Sequence, residues 1–357
     1  MPNGLKYISQ LDSLRTIAIL LVVTDHWLGG FWTFGGGTGV ILFFVLSGFL
    51  ITRILLNSKY TPGVKRVYSI KNFIIRRSLR IFPIYFLFVF FFIIAGDPYM
   101  RLQYGWYLTY CSNIHFFLIN NIDNAMYNHT WSLAVEEQFY LIWPWMILFI
   151  PEKKEPVLIF SMIVVAILFR YTLDTRGYYG LVLTPSNFDA FGLGALLAWL
   201  KLNETRSKVG AEISGFLNVY TKYFLVGFLL ISLFLFNVNL PQSLGKCSPV
   251  LFQFFFSVFS MALINQAILG FTGILGRFFN YSAVLYIGKI SYGIYLYHKV
   301  IPWALSYGLS KFGHTYSDKG FFSFFLQLLL VILVAHLSWI IIEVPMNRLK
   351  KRFEYAR

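Results

Sequence analysis

Four ionisable residues, Asp12, Arg15, Asp25 and His26, stand in one otherwise apolar stretch, LDSLRTIAILLVVTDHWL. An ionisable side chain inside a membrane costs roughly 2.5–3.5 kcal/mol on insertion scales, so it faces a cavity or a partner rather than lipid. Arg15 and His26 are eleven positions apart. At ~100° per residue this returns to within ~20° of the same face, ~16 Å along the axis. One side of one helix therefore offers a guanidinium towards one membrane surface and an imidazole towards the other. A glycine-rich loop follows, and a second apolar span carries Arg53 back to the first surface.

Further stretches add to this pair. IRRSLRIFPIYF brings Arg76, Arg77 and Arg80 to the start of a third span, so that with Arg15 and Arg53 five arginines collect at one mouth. Guanidinium forks grip phosphate bidentately and keep their charge. Arg76 alone reads as ordinary basic flanking; Arg15, Arg53 and Arg80 enter apolar spans and point to a buried anion site. HTWSLAVEEQFYLIWPW sets Glu136 and Glu137 about two turns into a helix, ~100° apart. One is expected to face inward while the other meets a cation or the interface, a structural salt bridge being the alternative for either. Asp189, in SNFDAFGLGALLAWL, either orients the site or caps its helix after Pro185 and Ser186, and Gly192, Gly194 and Ala195 permit close helix approach. In SYGIYLYH, Tyr292, Tyr295, Tyr297 and His298 lie towards the same side as His26, with His298 at its depth. Arg170 reads as a snorkelling residue and Glu343 as an ion-pair partner that closes the bundle beside Pro345.

The acid and base candidates His26, Asp25, Glu136, Asp189 and His298 thus collect in one half of the membrane and the phosphate-type cations in the other. A donor with an anionic head and a long arm, such as an acyl-coenzyme A, fits that polarity. His26 would deprotonate a hydroxyl acceptor as general base, and a carboxylate such as Glu136 would orient the imidazole or stabilise its charged form. A covalent acyl-histidine is chemically open as well. There is no G-x-S-x-G elbow and no evident cysteine nucleophile, and Cys111 and Cys247 have no metal-ligand spacing, so no metal is expected; a disulfide between them stays open.

These residues need a membrane scaffold, and the composition supplies one. The 357 residues are 57% hydrophobic and only 13% charged, against about 25% charged in soluble domains. At about 20 apolar residues per crossing, ten helices are expected, at 12–30, 38–57, 80–96, 130–150, 156–173, 185–201, 222–238, 248–269, 282–303 and 321–343, with an interfacial or re-entrant stretch at 104–120. An even count puts both termini on one side. Basic residues concentrate in alternate loops; only Arg101, Arg176, Lys246, Lys311 and Lys319 fall in the other set, so both termini are expected in the cytoplasm. The net charge of +15 follows from these short basic loops rather than from nucleic-acid binding. The expectation is a single all-α integral membrane domain over residues 1–357.

The chain resembles acyltransferase family 3, the membrane O-acyltransferases of cell-surface glycans and some secondary metabolites. The resemblance rests on Arg15 and His26 ten residues apart in the intervening count, FFVLSGFLIT at 43–52, R-S-L-R at 77–80, WSLAVEEQFYL at 131–141, FDAFGLGALLA at 188–198 and SYGIYLYH at 291–298. It implies a ten-helix fold in a bacterial inner membrane, an acyl-CoA donor (usually acetyl-CoA), catalytic His26 and functional Arg15, Arg77 and Arg80. It also implies that Glu136 matters more than Glu137. The implied acceptor is a polysaccharide or lipid-linked glycan, with a small metabolite such as a macrolide, or acyl or solute transport, as alternatives. Ile41 stands where the family often has a polar residue. No appended extracytoplasmic domain is expected, so the domain would finish the transfer alone or hand the acyl group to a separate protein.

Overall fold

The computed structural model describes residues 7–28, 37–122, 126–174, 176, 179–237 and 248–353, and it is helical, with no strand among the described residues. Most of the glycine-rich loop after α1, and Cys247 with the question of its pairing, lie outside these residues. In chain order the helices are α1 (Gln10–Leu28), α2 (Gly37–Tyr60), α3 (Arg66–Ile94), α4 (Pro98–Leu108), α5 (Ser112–Leu118), α6 (Thr130–Phe149), α7 (Glu155–Asp174) and α8 (Phe188–Asn203). There follow α9 (Lys208–Asn237), α10 (Ser248–Leu269), α11 (Gly273–Phe279), α12 (Ser282–Lys289), α13 (Ser291–Tyr297), α14 (Val300–Ser310), α15 (Phe321–Ser338), a π-helical turn (Trp339–Glu343) and α16 (Val344–Leu349).

Among the described residues, six helices are long and apolar enough to cross a membrane: Gly37–Tyr60, Arg66–Ile94, Glu152–Leu173, Lys208–Leu235, Pro249–Leu269 and Phe321–Leu349. The other expected spans carry charge or are short. α1 holds Asp12, Arg15 and Asp25, α6 holds Glu136 and Glu137, and α8 has 16 residues. Of these, α1 and α8 are buried along most of their length, while α6 keeps Leu141, Ile142, Trp145, Met146 and Phe149 exposed in its second half. The same division shows in α2, whose apolar window is 72% buried, against 17% for Lys208–Leu235.

Small residues bring the central helices together. A Cβ on Gly194 of α8 would lie 2.1 Å from the carbonyl oxygen of Val45 on α2, and one on Gly48 would lie 2.2 Å from that of Phe191. The close approach expected of the α8 glycines is therefore made against α2 at Gly194, with backbones in contact, while Gly192 faces Ile163 of α7. Gly288 of α12 sits as tightly on α1, 1.9 Å from the Asp12 carbonyl oxygen by the same measure.

Three expectations are corrected. The third helix starts at Arg66, not at residue 80, so Arg76, Arg77 and Arg80 lie within α3 rather than at its mouth. The stretch at 282–303 is not one helix; it breaks after Lys289 and again after Tyr297. Pro302 explains the second break, because it has no N–H for the carbonyl of His298 four residues earlier. That carbonyl accepts from Trp27 Nε1 at 3.0 Å instead. Third, Arg170 does not snorkel. It is 2% exposed and forks onto Asp189, with Nη1 and Nη2 at 2.8 and 2.6 Å from the two carboxylate oxygens. The stretch 104–120, expected to be interfacial or re-entrant, holds the end of α4 and the whole of α5, and the turn between them, at Tyr110, reaches α3 and α6: its ring stacks on Tyr85 and its carbonyl accepts from Gln138.

Candidate active site

Four helices each turn one stripe of residues towards a shared cavity of about 640 Å³. α2 offers Val40, Phe43, Phe44 and Ser47; α3 offers Arg77, Arg80 and Ile81; α6 offers Ser132, Leu133, Glu136 and Tyr140; α13 offers Ser291, Tyr292 and Tyr295. Every step is three or four residues or a neighbour of one, the repeat of a helix face. Arg15 of α1 completes the wall.

Of the arginines expected to gather, Arg15, Arg77 and Arg80 meet in this cavity, and Arg53 and Arg76 do not. Arg77 and Arg80 are three apart and share a face of α3, whereas Arg76 is turned ~100° away. Arg76 Nη1 donates instead to the carbonyl oxygens of Lys350 and Phe353, at 2.9 and 3.0 Å. Arg53 is six residues beyond Ser47, off the α2 stripe; it lies over the Phe49 ring, in a separate groove with Lys201 and Ile8. Arg15 is bound by Asp12 one turn earlier, which also accepts from Tyr7. The Arg77 guanidinium lies 5.1 Å from the centroid of the Tyr140 ring, a cation–π distance.

The two adjacent carboxylates part company, as helical geometry requires. Glu136 faces the cavity, where Oε1 accepts from Ser47 Oγ at 2.7 Å, and Ser47 Oγ is 3.0 Å from Tyr140 Oη. Glu137 faces a second cavity on the other side of Arg77 and Tyr140. Asp189 belongs to neither; it is fully buried in its pair with Arg170, a role in holding α7 to α8. Glu343 is 2% exposed, and neither carboxylate oxygen has a hydrogen-bond partner among the described residues, so the expected ion pair at 4 Å or less is not formed there.

His26 stands apart from Glu136. Its Nδ1 is 2.9 Å from Nε2 of His298, and the rings stack with centroids 5.0 Å apart. His298 Nδ1 is 2.6 Å from the carbonyl oxygen of Tyr295. A carbonyl only accepts, so His298 carries its proton on Nδ1 and its Nε2 accepts. His26 must then donate from Nδ1, which leaves Nε2 as an unprotonated acceptor. As a residue His26 is exposed. The orienting partner is therefore a histidine, not the Glu136 carboxylate proposed from sequence. Asp25, the next residue back on α1, is half-buried.

Tyr295 joins the two regions. It lines the arginine cavity, donates from Oη to the His129 carbonyl at 2.9 Å, approaches Ser132 Oγ at 2.5 Å, and gives its own carbonyl to His298. His129 packs its ring edge-on to His298 with centroids 4.9 Å apart, and its Nε2 donates to the Leu296 carbonyl at 3.2 Å. The broken helix frees these carbonyls for side chains. Sequence reasoning singled out neither His129 nor Ser47, Ser132, Tyr140 or Tyr292 as site residues, Tyr292 being noted only as a tyrosine lying towards the side of His26. Ser132, Glu136 and Tyr140 recur at four-residue spacing on α6, a signal present in the sequence; His129 had none, since its place depends on the break at His298.

A helical membrane scaffold with an arginine cavity and a tautomer-fixed histidine on one central helix agrees with what comparison finds. Residues 8–344 match the family described as the acyltransferase domain, and the chain belongs to that family. It is similar to the peptidoglycan O-acetyltransferase OatA of Listeria monocytogenes serovar 1/2a, 29% identical over 96% of this chain and 56% of that protein. It is also similar to the O-acetyltransferase OatA of Staphylococcus aureus strain MRSA252, at 27% identity over 99% of this chain and 60% of that one. A putative O-acetyltransferase, SACOL0978, of S. aureus strain COL is 27% identical over 96% of this chain and 58% of its own length. The chain thus spans less than two thirds of these relatives. No solved structure matches it.

Proposed function

We propose that the protein is a multi-pass inner-membrane O-acetyltransferase that carries an acetyl group from cytoplasmic acetyl-CoA to a hydroxyl of an extracytoplasmic or lipid-linked polysaccharide. The observation that carries this reading is the hydrogen-bond chain Tyr295 carbonyl, His298, His26, which leaves His26 Nε2 free to accept a proton on the helix that also bears Arg15. In this reading ten crossings put both termini in the cytoplasm, α1, α6, α8 and the broken α12–α14 segment being the four crossings beside the apolar six. The phosphates of the donor lie on Arg15, Arg77 and Arg80, where charge-assisted bonds are strongest, and its arm extends along α1 towards His26.

The chemistry follows from that arrangement. The acceptor hydroxyl oxygen attacks the thioester carbonyl carbon while His26 Nε2 takes the hydroxyl proton. The carbon–sulfur bond of the tetrahedral adduct then breaks, and the proton passes from His26 to the departing thiolate. His298 holds the reactive tautomer and shares the positive charge that His26 gains, the part a carboxylate plays in the serine-protease arrangement. Glu136 acts in the arginine cavity, where its bond to Ser47 fixes it among the cations. The OatA relatives are named as O-acetyltransferases, one of them of peptidoglycan, which favours a cell-wall glycan acceptor over a macrolide-like metabolite.

Mass spectrometry of surface glycans tests this in a deletion strain carrying wild type or His26→Ala at matched membrane levels. Restoration of a 42-Da-class acetyl increment, on the order of one acetyl mass per modified sugar, by wild type alone is the expected result. Restoration by both would remove His26 from the chemistry, and restoration by neither would remove the glycan acceptor.

A further inference from the structure

The second cavity, of about 580 Å³, shares Arg77 and Tyr140 with the first as a common wall. It lies between α3, α6 and the turn joining α4 to α5, with Phe73 and Phe82 among its apolar walls and Arg77, Tyr110, Glu137 and Tyr140 at its polar corners. Nothing in the transfer chemistry uses it. Two of its residues carry buried polar atoms with no hydrogen-bond partner among the described residues, Glu137 Oε1 and Tyr110 Oη.

The Tyr110 orphan is held in place. Tyr110 is only 7% exposed; its ring stacks on Tyr85 with centroids 4.2 Å apart and on Phe82 at 5.5 Å, and its carbonyl accepts from Gln138 Nε2 at 2.8 Å. Its φ of 53° is a left-handed conformation that a bulky residue adopts only when its surroundings impose it. A buried donor or acceptor left unpaired is costly, and two in one cavity call for a group that both donates and accepts. A hydroxyl does so. Arg77 and Glu137 put opposite charges on the lining, so an anionic headgroup would meet the carboxylate and a cationic one the guanidinium. The rim includes Thr109, which is exposed, and Leu141, 60% exposed on a helix of the bundle. An exposed apolar side chain on such a helix faces lipid, so the cavity opens sideways into the bilayer.

We propose that this cavity binds the uncharged sugar headgroup of a membrane-anchored glycolipid, a sugar hydroxyl donating to Glu137 Oε1 and another accepting from Tyr110 Oη. The acyl-transfer reading bears only on whether this molecule is the acceptor; the binding itself does not depend on it.

Photolabelling tests the site with the whole protein in phosphatidylcholine nanodiscs and no acyl donor. The probe is an alkyl β-glucoside with a diazirine in its chain, and labelled peptides are mapped by mass spectrometry. The expected label falls on residues 73–82, 109–111 and 137–141, is competed by octyl glucoside, and is not competed by octanol or octyl phosphate at the same concentration. Tyr110→Phe, which removes one unpartnered oxygen and keeps the ring, and Glu137→Ala each reduce it at least about five-fold, at unchanged size-exclusion profile. Undiminished labelling in both variants overturns the proposal. So does equal competition by octanol, which would show an apolar crevice, or by octyl phosphate, which would show an anion site. Intact labelling beside a failed glycan-acetylation experiment would remove the transferase reading and leave this one.

Discussion

His26 Nδ1 lies 2.9 Å from His298 Nε2, with the two rings 13° from parallel. The residues are 272 positions apart in sequence; Pro302 interrupts the helix just after His298, and Trp27, the neighbour of His26, takes the carbonyl left over. His298 therefore fixes a tautomer rather than touching the reacting atoms. His298→Ala is expected to lower kcat about 10²–10³-fold, the range of a misdirected general base, with KM for the donor within about two-fold. Free coenzyme A release from the protein in proteoliposomes measures both constants. An equal loss in kcat from Trp27→Phe, which keeps the histidine pair, would instead indicate a general loosening of this corner.

The arginines divide into two groups that respond differently. Arg77→Gln removes a guanidinium from the cavity, and losing a hydrogen bond to a charged group costs about 1.5–3 kcal/mol, so donor affinity should fall about 10- to 100-fold. Arg53→Gln, in its separate groove, should leave affinity within about two-fold. Calorimetric titration with coenzyme A separates the two, and equal losses would sink the assignment of the phosphate site to the cavity.

Asp189 should behave as a stability residue. It and Arg170 are buried, with side chains 0% and 2% exposed. Removing one partner of such a pair strands the other charge and costs about 3–5 kcal/mol. Asp189→Ala is expected to lower the thermal midpoint in detergent sharply, while the protein that remains folded keeps its turnover per mole. Loss of turnover in folded Asp189→Ala protein would return this residue to the active site.

Gly194 tests the α2–α8 contact. A methyl group there would sit 2.1 Å from the Val45 carbonyl oxygen, a backbone atom that cannot swing aside. Gly194→Ala should cost about 1–3 kcal/mol through forced separation of the helices. Gly227→Ala, where a methyl group meets nothing within 4 Å, should be neutral in the same melting experiment.

Several features were legible in the sequence for plain physical reasons. Charge is too costly in lipid to be scattered, so Arg15, His26, Glu136 and Arg80 announced themselves by standing in apolar runs. Helical period alone separated Glu136 from Glu137, and the structure sends the two to different cavities. The glycines of α8 announced a close crossing.

What tertiary structure decided is which charge meets which. Hydropathy says that Arg170 and Asp189 are unusual, not that they face each other, and it gives Arg53 the same standing as Arg80. The 22 residues at 282–303 read as one helix, because the effect of Pro302 depends on whether a distant indole satisfies the carbonyl it abandons. Local periodicity fixes the face a residue occupies. Only packing fixes what stands opposite, and the partner of His26 is defined by that opposition.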